Sequence, residues 1–201
     1  MAIREMKREK MKVLFASSEC APFFKTGGLG DVAGALPKEL AKKSEISSVG
    51  VILPYFKNEM KEEYRSLLVD EFYDFVDVGW RHEYFGVKTL VKDNVKYYFL
   101  DNEHYFGRGH LYGYGDDGER FAFFDLAVCQ LLEKLDFIPD ILHVNDWQTA
   151  MIPFLLKEKY KWINAYSDIQ SVLTIHNIEF QGVMQGDALT ELCLLYTSPS
   201  P

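Results

Sequence analysis

The sequence predicts an α/β fold in which a mainly parallel sheet is wound on both faces by helices. Short apolar runs at 12–17, 48–53, 141–144 and 170–175 have the character of strands buried on both faces. Segments of helical spacing lie between them. Regular alternation of the two element types is the pattern of a parallel sheet with crossover helices. At 201 residues, 48% apolar and 15% aromatic, the chain can bury a substantial core as one domain.

The first strand, residues 12–17, leads into Lys25-Thr26-Gly27-Gly28-Leu29-Gly30-Asp31. After the glycines, Val32, Ala33, Leu36 and Leu40 recur at helical spacing, which predicts a helix to about Lys43. The second strand is 48–53. Residues 55–110 read as aromatic-rich and irregular, apart from a hairpin in which 87–91 and 95–100 flank Asp93-Asn94. Phe121, Phe124, Val128, Leu131, Leu132 and Leu135 place a helix over 119–135. A strand at 141–144, a helix over about 148–160 and a strand at 170–175 complete the pattern. No repeat, low-complexity block or flexible linker interrupts it.

Composition excludes several classes. A net charge of −8 argues against nucleic acid or anionic membrane as a partner. No apolar run is long enough to span a bilayer, and the N-terminus lacks the apolar middle of a signal peptide. Cys20, Cys129 and Cys193 are odd in number and far apart, which fits neither a disulfide framework nor a metal cluster and suits a reducing cytoplasm. His82, His104 and His110 have no spacing appropriate to zinc. The expectation is therefore no metal and no cofactor. The basic start, residues 1–10, reads as a solvated extension, with Met11 a candidate natural start. Nothing in the sequence sets an oligomeric state.

A glycine-rich turn before a helix lets backbone amides approach an anion and aims the positive helix end at it. Lys25 adds a charge at its mouth. Because Lys25 precedes the glycines, the segment is not a Walker loop. The second strand ends in Pro54-Tyr55 with no carboxylate for a ribose, which disfavours a nicotinamide enzyme. Two readings remain open for this segment: a phosphate cradle, or a strand–helix turn whose glycines permit close packing.

In open parallel sheets, ligands bind outside the carboxyl ends of the strands. Three clusters fall there: Glu19 with the 25–31 loop, Asn145-Asp146-Trp147-Gln148, and His176-Asn177. The His176 imidazole could donate to a sugar hydroxyl or to charge developing in a transition state, or merely cap a strand. Asp146 and Asp31 each read as a ligand contact or as a helix cap. His143 lies within a strand and reads as a core histidine, and Trp147 as packing. Tyr112 could stack on a ring. Asp116 and Asp117 resemble a turn with an N-cap. No nucleophile elbow or Cys–His pair is present.

Residues 13–19 running into Pro22, then 25–32, resemble the opening of bacterial glycogen synthases and plant starch synthases. The likeness continues at Ala35-Leu36-Pro37, at 51–54, from Tyr112-Gly113 to Glu119-Arg120-Phe121, at His143 through Asp146-Trp147, and at 174–177 with Gln181-Gly182. These motifs occur in family order over roughly residues 11–190. The resemblance implies the amino-terminal Rossmann-like half of a two-domain GT-B glycosyltransferase, spanning 11–191. It implies a retaining enzyme that moves glucose from ADP-glucose to the non-reducing end of an α-1,4-glucan such as glycogen, with no metal required. Lys25 and the Gly27 and Gly28 backbone would meet the sugar nucleotide. Asp31, Tyr112 and Asp146 would line the sugar or acceptor side, and His176, with Asn177 beside it, would sit against the transferred glucose. The rival readings are a glycosyltransferase using a UDP- or GDP-sugar and a non-catalytic glucan-binding module.

Residues 192–201 do not resemble the family, and the expectation is a truncation, frameshift or cloning tail. In the family a second domain supplies further phosphate-binding Arg and Lys residues. The 201-residue chain is therefore expected to have little or no transfer activity alone.

Overall fold

A computed structural model of the chain describes residues 10–183. The predicted extension apart from Lys10, the predicted 192–201 tail and Cys193 lie outside them. The elements run β1 (Met11–Ala16), α1 (Gly28–Leu40), β2 (Ile46–Pro54), α2 (Glu62–Arg65), β3 (Val69–Val78), β4 (Arg81–Lys92) and β5 (Val95–Asp101). They continue as α3 (Glu103–Phe106), α4 (Asp117–Leu131), β6 (Ile141–Asn145), α5 (Ile152–Glu158) and β7 (Gln170–Thr174), with short 3₁₀ turns between.

All seven strands form one sheet in the order β3-β4-β5-β2-β1-β6-β7. Strands β5, β2, β1, β6 and β7 pair in parallel, and β4 pairs antiparallel with both β5 and β3. Val13 to Ala16 and Val51 to Leu53 are buried, as a central parallel strand covered on both faces requires. The predicted aromatic core is present: Phe15, Phe23, Phe56, Phe85, Phe99, Phe106, Phe123 and Phe124 are among the largest fully enclosed side chains. Cys20 and Cys129 are buried free thiols, and burial pushes the Cys20 thiol up to about 12.

Residues 55–110 are not irregular. The hairpin forms, and its Asp93-Asn94 turn has positive φ at both positions (54° and 61°), the geometry of a two-residue loop matched to strand twist. The strand absent from the sequence reading is β3. A register shift between Asp70 and Phe72 breaks its alternation, and only Val76 and Val78 are fully buried. Its acidic residues are met by lysines on other elements: Asp70 by Lys88, Glu71 by Lys96 at 3.0 Å and Asp74 by Lys134 at 2.5 Å. A charged edge strand also protects an open sheet from edge-to-edge association.

The order of strands sets the site. From β1 the chain moves to one side through β2, and only later returns to the other side through β6. The carboxyl ends of β1 and β6 thus flank a switch point, where open α/β sheets form a crevice. Ala16 pairs with Val144, and Val144 with Leu173, so β1, β6 and β7 end level with one another.

Candidate active site

A cavity of about 800 Å³ opens at these strand ends, within the usual range for small-molecule sites. Its walls include Gly27 and Gly28 from the first loop, Tyr112 and Asp117 from the approach to α4, and Asp146, His176 and Asn177. Six of the eight residues expected at a site therefore share one cavity. Lys25 and Asp31 are not on its wall. They pair with each other at 2.6 Å, about half and three-fifths exposed.

Glu19, just beyond β1, organises the loop and is 4% exposed. Its carboxylate accepts from the Thr26 amide (2.6 Å), the Gly27 amide (3.1 Å), the Thr26 hydroxyl (2.7 Å) and the Tyr112 hydroxyl (2.8 Å). Tyr112 is thus held by its hydroxyl, also 2.7 Å from Ser18 Oγ, with its ring in the cavity wall. Burial first, and then the Glu19 charge, hold that phenol well above its usual range. From sequence alone Glu19 stands on the rim without a legible role. Its partners lie 7, 8 and 93 residues away, which no local pattern reveals.

The glycines of this segment meet two kinds of surroundings. An added Cβ at Gly27 or Gly28 would meet nothing within 4 Å, so these two leave the cavity wall open. At Gly30 it would come 2.4 Å from Lys25 Cβ, and at Gly34, one turn on, 2.4 Å from the Ala21 carbonyl oxygen. These two glycines let α1 close onto the chain leaving β1, where the Ala21 amide donates to the Gly30 carbonyl at 2.8 Å. We therefore expect Gly34→Ala to destabilise the fold by about 1–3 kcal/mol despite alanine's better helix propensity, whereas Gly28→Ala leaves the melting temperature unchanged. Thermal unfolding of the two variants checks this. With the Thr26 and Gly27 amides held by Glu19, the amides that open α1 from Gly28 have no side-chain cap.

On the opposite wall Asp146 has φ +56° and ψ −172°, a conformation left almost wholly to glycine. Two contacts hold it there. Its amide donates to the Thr174 carbonyl at 2.9 Å, and its carboxylate accepts the His176 amide at 2.6 Å. Asp146 therefore tethers β6 to the end of β7, and its side chain makes no helix-capping bond. His176 Nε2 lies 3.0 Å from Asn145 Oδ1. His143 is the core histidine expected: Nε2 meets Thr174 Oγ1 at 2.7 Å, the ring packs on Phe15 at 4.8 Å, and burial lowers its pKa. Trp147 packs edge-on against Phe121 at 5.1 Å, as expected, and also lines the cavity.

Asp116 does not cap α4 with its side chain. It forms a two-pronged pair with Arg108 at 2.6 and 2.7 Å, which holds its carboxyl below the usual range. The turn is made by Asp117, which accepts the Gly113 amide at 2.8 Å. Beneath it, Arg120 is fully buried and reaches the Tyr105 and Leu111 carbonyls and Asp117 Oδ1. Among the described residues no three His, Cys, Asp or Glu side chains form a metal-binding group, and no helix is long and apolar enough to cross a membrane.

A five-strand parallel core with its crevice at the switch point, lined by an open helix start and by converging strand-end polar groups, defines a Rossmann-like α/β unit, and its likeness to a solved starch synthase catalytic domain makes it one half of a GT-B glycosyltransferase fold. The model of the starch synthase catalytic domain matches residues 12–198, and the chain belongs to that glycogen and starch synthase family. It is 88% identical over 182 residues to a glycogen synthase of Lactococcus lactis subsp. lactis and 62% identical over 184 residues to one of Ligilactobacillus salivarius. Each match covers 90% of this chain and 38% of the relative, so the chain spans well under half the length of these relatives. Among solved structures, it superposes on the catalytic domain of starch synthase IV from Arabidopsis thaliana bound to ADP and acarbose. The TM-score is 0.83 at 28% identity, covering 92% of this chain and 38% of that one.

Proposed function

We propose that this chain forms one wall of an ADP-glucose-dependent glucan synthase, which transfers glucose to the non-reducing end of an α-1,4-glucan with retention of configuration. The observation that carries the reading is the composition of the cavity. Its charged lining residues are Glu19, Asp117, Asp146 and Glu179, with no lysine or arginine among the described lining residues. Such a wall suits a neutral, hydroxyl-rich sugar, whose O–H groups donate to carboxylates. The nucleotide diphosphate falls instead to the open start of α1, where the backbone amides from Gly28 onward and the helix dipole favour an anion. Lys25, beside that start, exchanges Asp31 for a phosphate oxygen. Asp31 then takes up a sugar or acceptor hydroxyl.

In this reading Tyr112, Asp146 and Asn177 line the sugar, and His176 sits against the transferred glucose. The glucose C1–O bond to the diphosphate breaks while a bond from C1 to the acceptor oxygen forms on the same face, and the acceptor's proton leaves with ADP. Charge builds on the departing diphosphate, so fixed donors aimed at it lower the barrier. One helix start and one lysine are too few for that charge. Transfer needs further cations, in keeping with relatives more than twice as long.

Titration calorimetry with ADP-glucose and a malto-oligosaccharide tests the reading. Lys25→Ala is expected to weaken ADP-glucose binding about tenfold, the effect of losing roughly 1.4 kcal/mol, and to leave malto-oligosaccharide binding intact. Equal ADP-glucose affinity in the variant overturns the phosphate role of Lys25. Brisk glucan extension by the 201-residue chain overturns the need for a second wall.

A further inference from the structure

Asn145 ends β6 and is 2% exposed. Its side-chain nitrogen donates to the Ala16 carbonyl at 3.0 Å and to the His143 carbonyl at 3.2 Å, and its oxygen lies 3.0 Å from His176 Nε2. Only one orientation of the amide satisfies all three, because exchanging its ends would set an oxygen against two carbonyl oxygens. The backbone of Asn145 is fixed as well. The Thr149 hydroxyl accepts its amide at 2.6 Å and donates to its carbonyl at 2.8 Å.

The consequence passes to the histidine. Asn145 Oδ1 has no proton to give, so the proton between the two side chains belongs to His176 Nε2. A neutral imidazole carries one N–H, and Nδ1 therefore holds a lone pair. The His176 ring stands in the cavity wall, and Nδ1 has no hydrogen-bond partner among the described residues.

We propose that Asn145 is a positioning residue that holds His176 as the Nε2–H tautomer, so that the ring meets the cavity's ligand as a hydrogen-bond acceptor at Nδ1. This deepens the proposed function and rests on it only for the ligand's identity, a sugar hydroxyl that donates to Nδ1. An acceptor placed against a hydroxyl disfavours an analogue without that proton, since the Nδ1 lone pair then faces the ligand unpaired.

Two-bond proton–nitrogen spectra of the ¹⁵N-labelled chain, recorded above the imidazole titration and assigned with His176→Ala, read the tautomer directly. The expected result is a single His176 form with the proton on Nε2, and a proton on Nδ1 overturns the proposal whether or not any variant folds. Asn145→Leu removes the acceptor and is expected to give a mixture of both tautomers. Thr149→Val, a structural control, is expected to loosen the turn and leave the tautomer alone. A pure Nε2–H form in Asn145→Leu overturns the role of Asn145. Asn145→Asp keeps an acceptor beside the ring. Its His176 is expected to keep the Nε2–H tautomer, and a switch of the proton to Nδ1 overturns the contact. Failure of ADP-glucose to bind would sink the proposed function and leave these spectra unchanged.

Discussion

Replacing Arg120 with alanine is expected to destabilise the chain by about 3–5 kcal/mol, the loss typical when one partner of a buried ion pair is removed. The side chain is fully enclosed, its guanidinium 4.8 Å from the Tyr114 ring centre and 5.6–5.9 Å from those of Phe56, Phe106 and Phe121. Removing it strands the Tyr105 and Leu111 carbonyls and takes from Asp117 its ion-pair partner. Domains of this size have about 5–15 kcal/mol in total, so the variant should melt many degrees lower. Arg120→Lys should rescue little, because an ammonium cannot span the same three acceptors as a planar fork. Urea unfolding followed by tryptophan fluorescence measures both. A loss under 1 kcal/mol for Arg120→Ala would show that the aromatic packing holds the 105–117 segment without it.

The second large effect is expected at Glu19. Glu19→Ala leaves the Thr26 and Gly27 amides and two hydroxyls without their acceptor, a loss of about 2–4 kcal/mol. Glu19→Gln keeps the shape but turns one acceptor into a donor facing donors, and should recover only part of it. Both variants should also weaken ADP-glucose binding, since Glu19 fixes the loop that opens α1 and, through Tyr112, the facing wall. Unfolding and calorimetry on the same samples separate the two consequences. Unchanged binding in a folded Glu19→Ala chain would reduce Glu19 to a structural group.

Much of the fold was legible because its signals are local. The run from Lys12 to Ser17 is apolar without alternation, which only a strand covered on both faces permits, and α1 follows from spacing alone. The hairpin was legible in Asp93-Asn94, two residue types that accept positive φ. By contrast, β3 was hidden, since its acidic residues are tolerated only through lysines on β4, β5 and the turn after α4, and a bulge spoils its period. The helix from 148 was read as one element but is a 3₁₀ turn and then α5, the break falling at Ala150-Met151.

For the candidate site, the sequence by itself determined which residue types stand at the strand ends: Gly27, Gly28, Asp146, His176 and Asn177 follow from where each strand must stop. Only the tertiary structure decided what those residues do. It divided the glycines into two that open the cavity and two that close the packing, set Lys25 and Asp31 on each other at the rim, and brought His176 Nε2 within 3.0 Å of Asn145 Oδ1. The reason is physical. Strand and helix signals depend on neighbours within one or two turns, whereas a hydrogen bond or an approaching carbonyl depends on groups brought within 3 Å from anywhere in the chain.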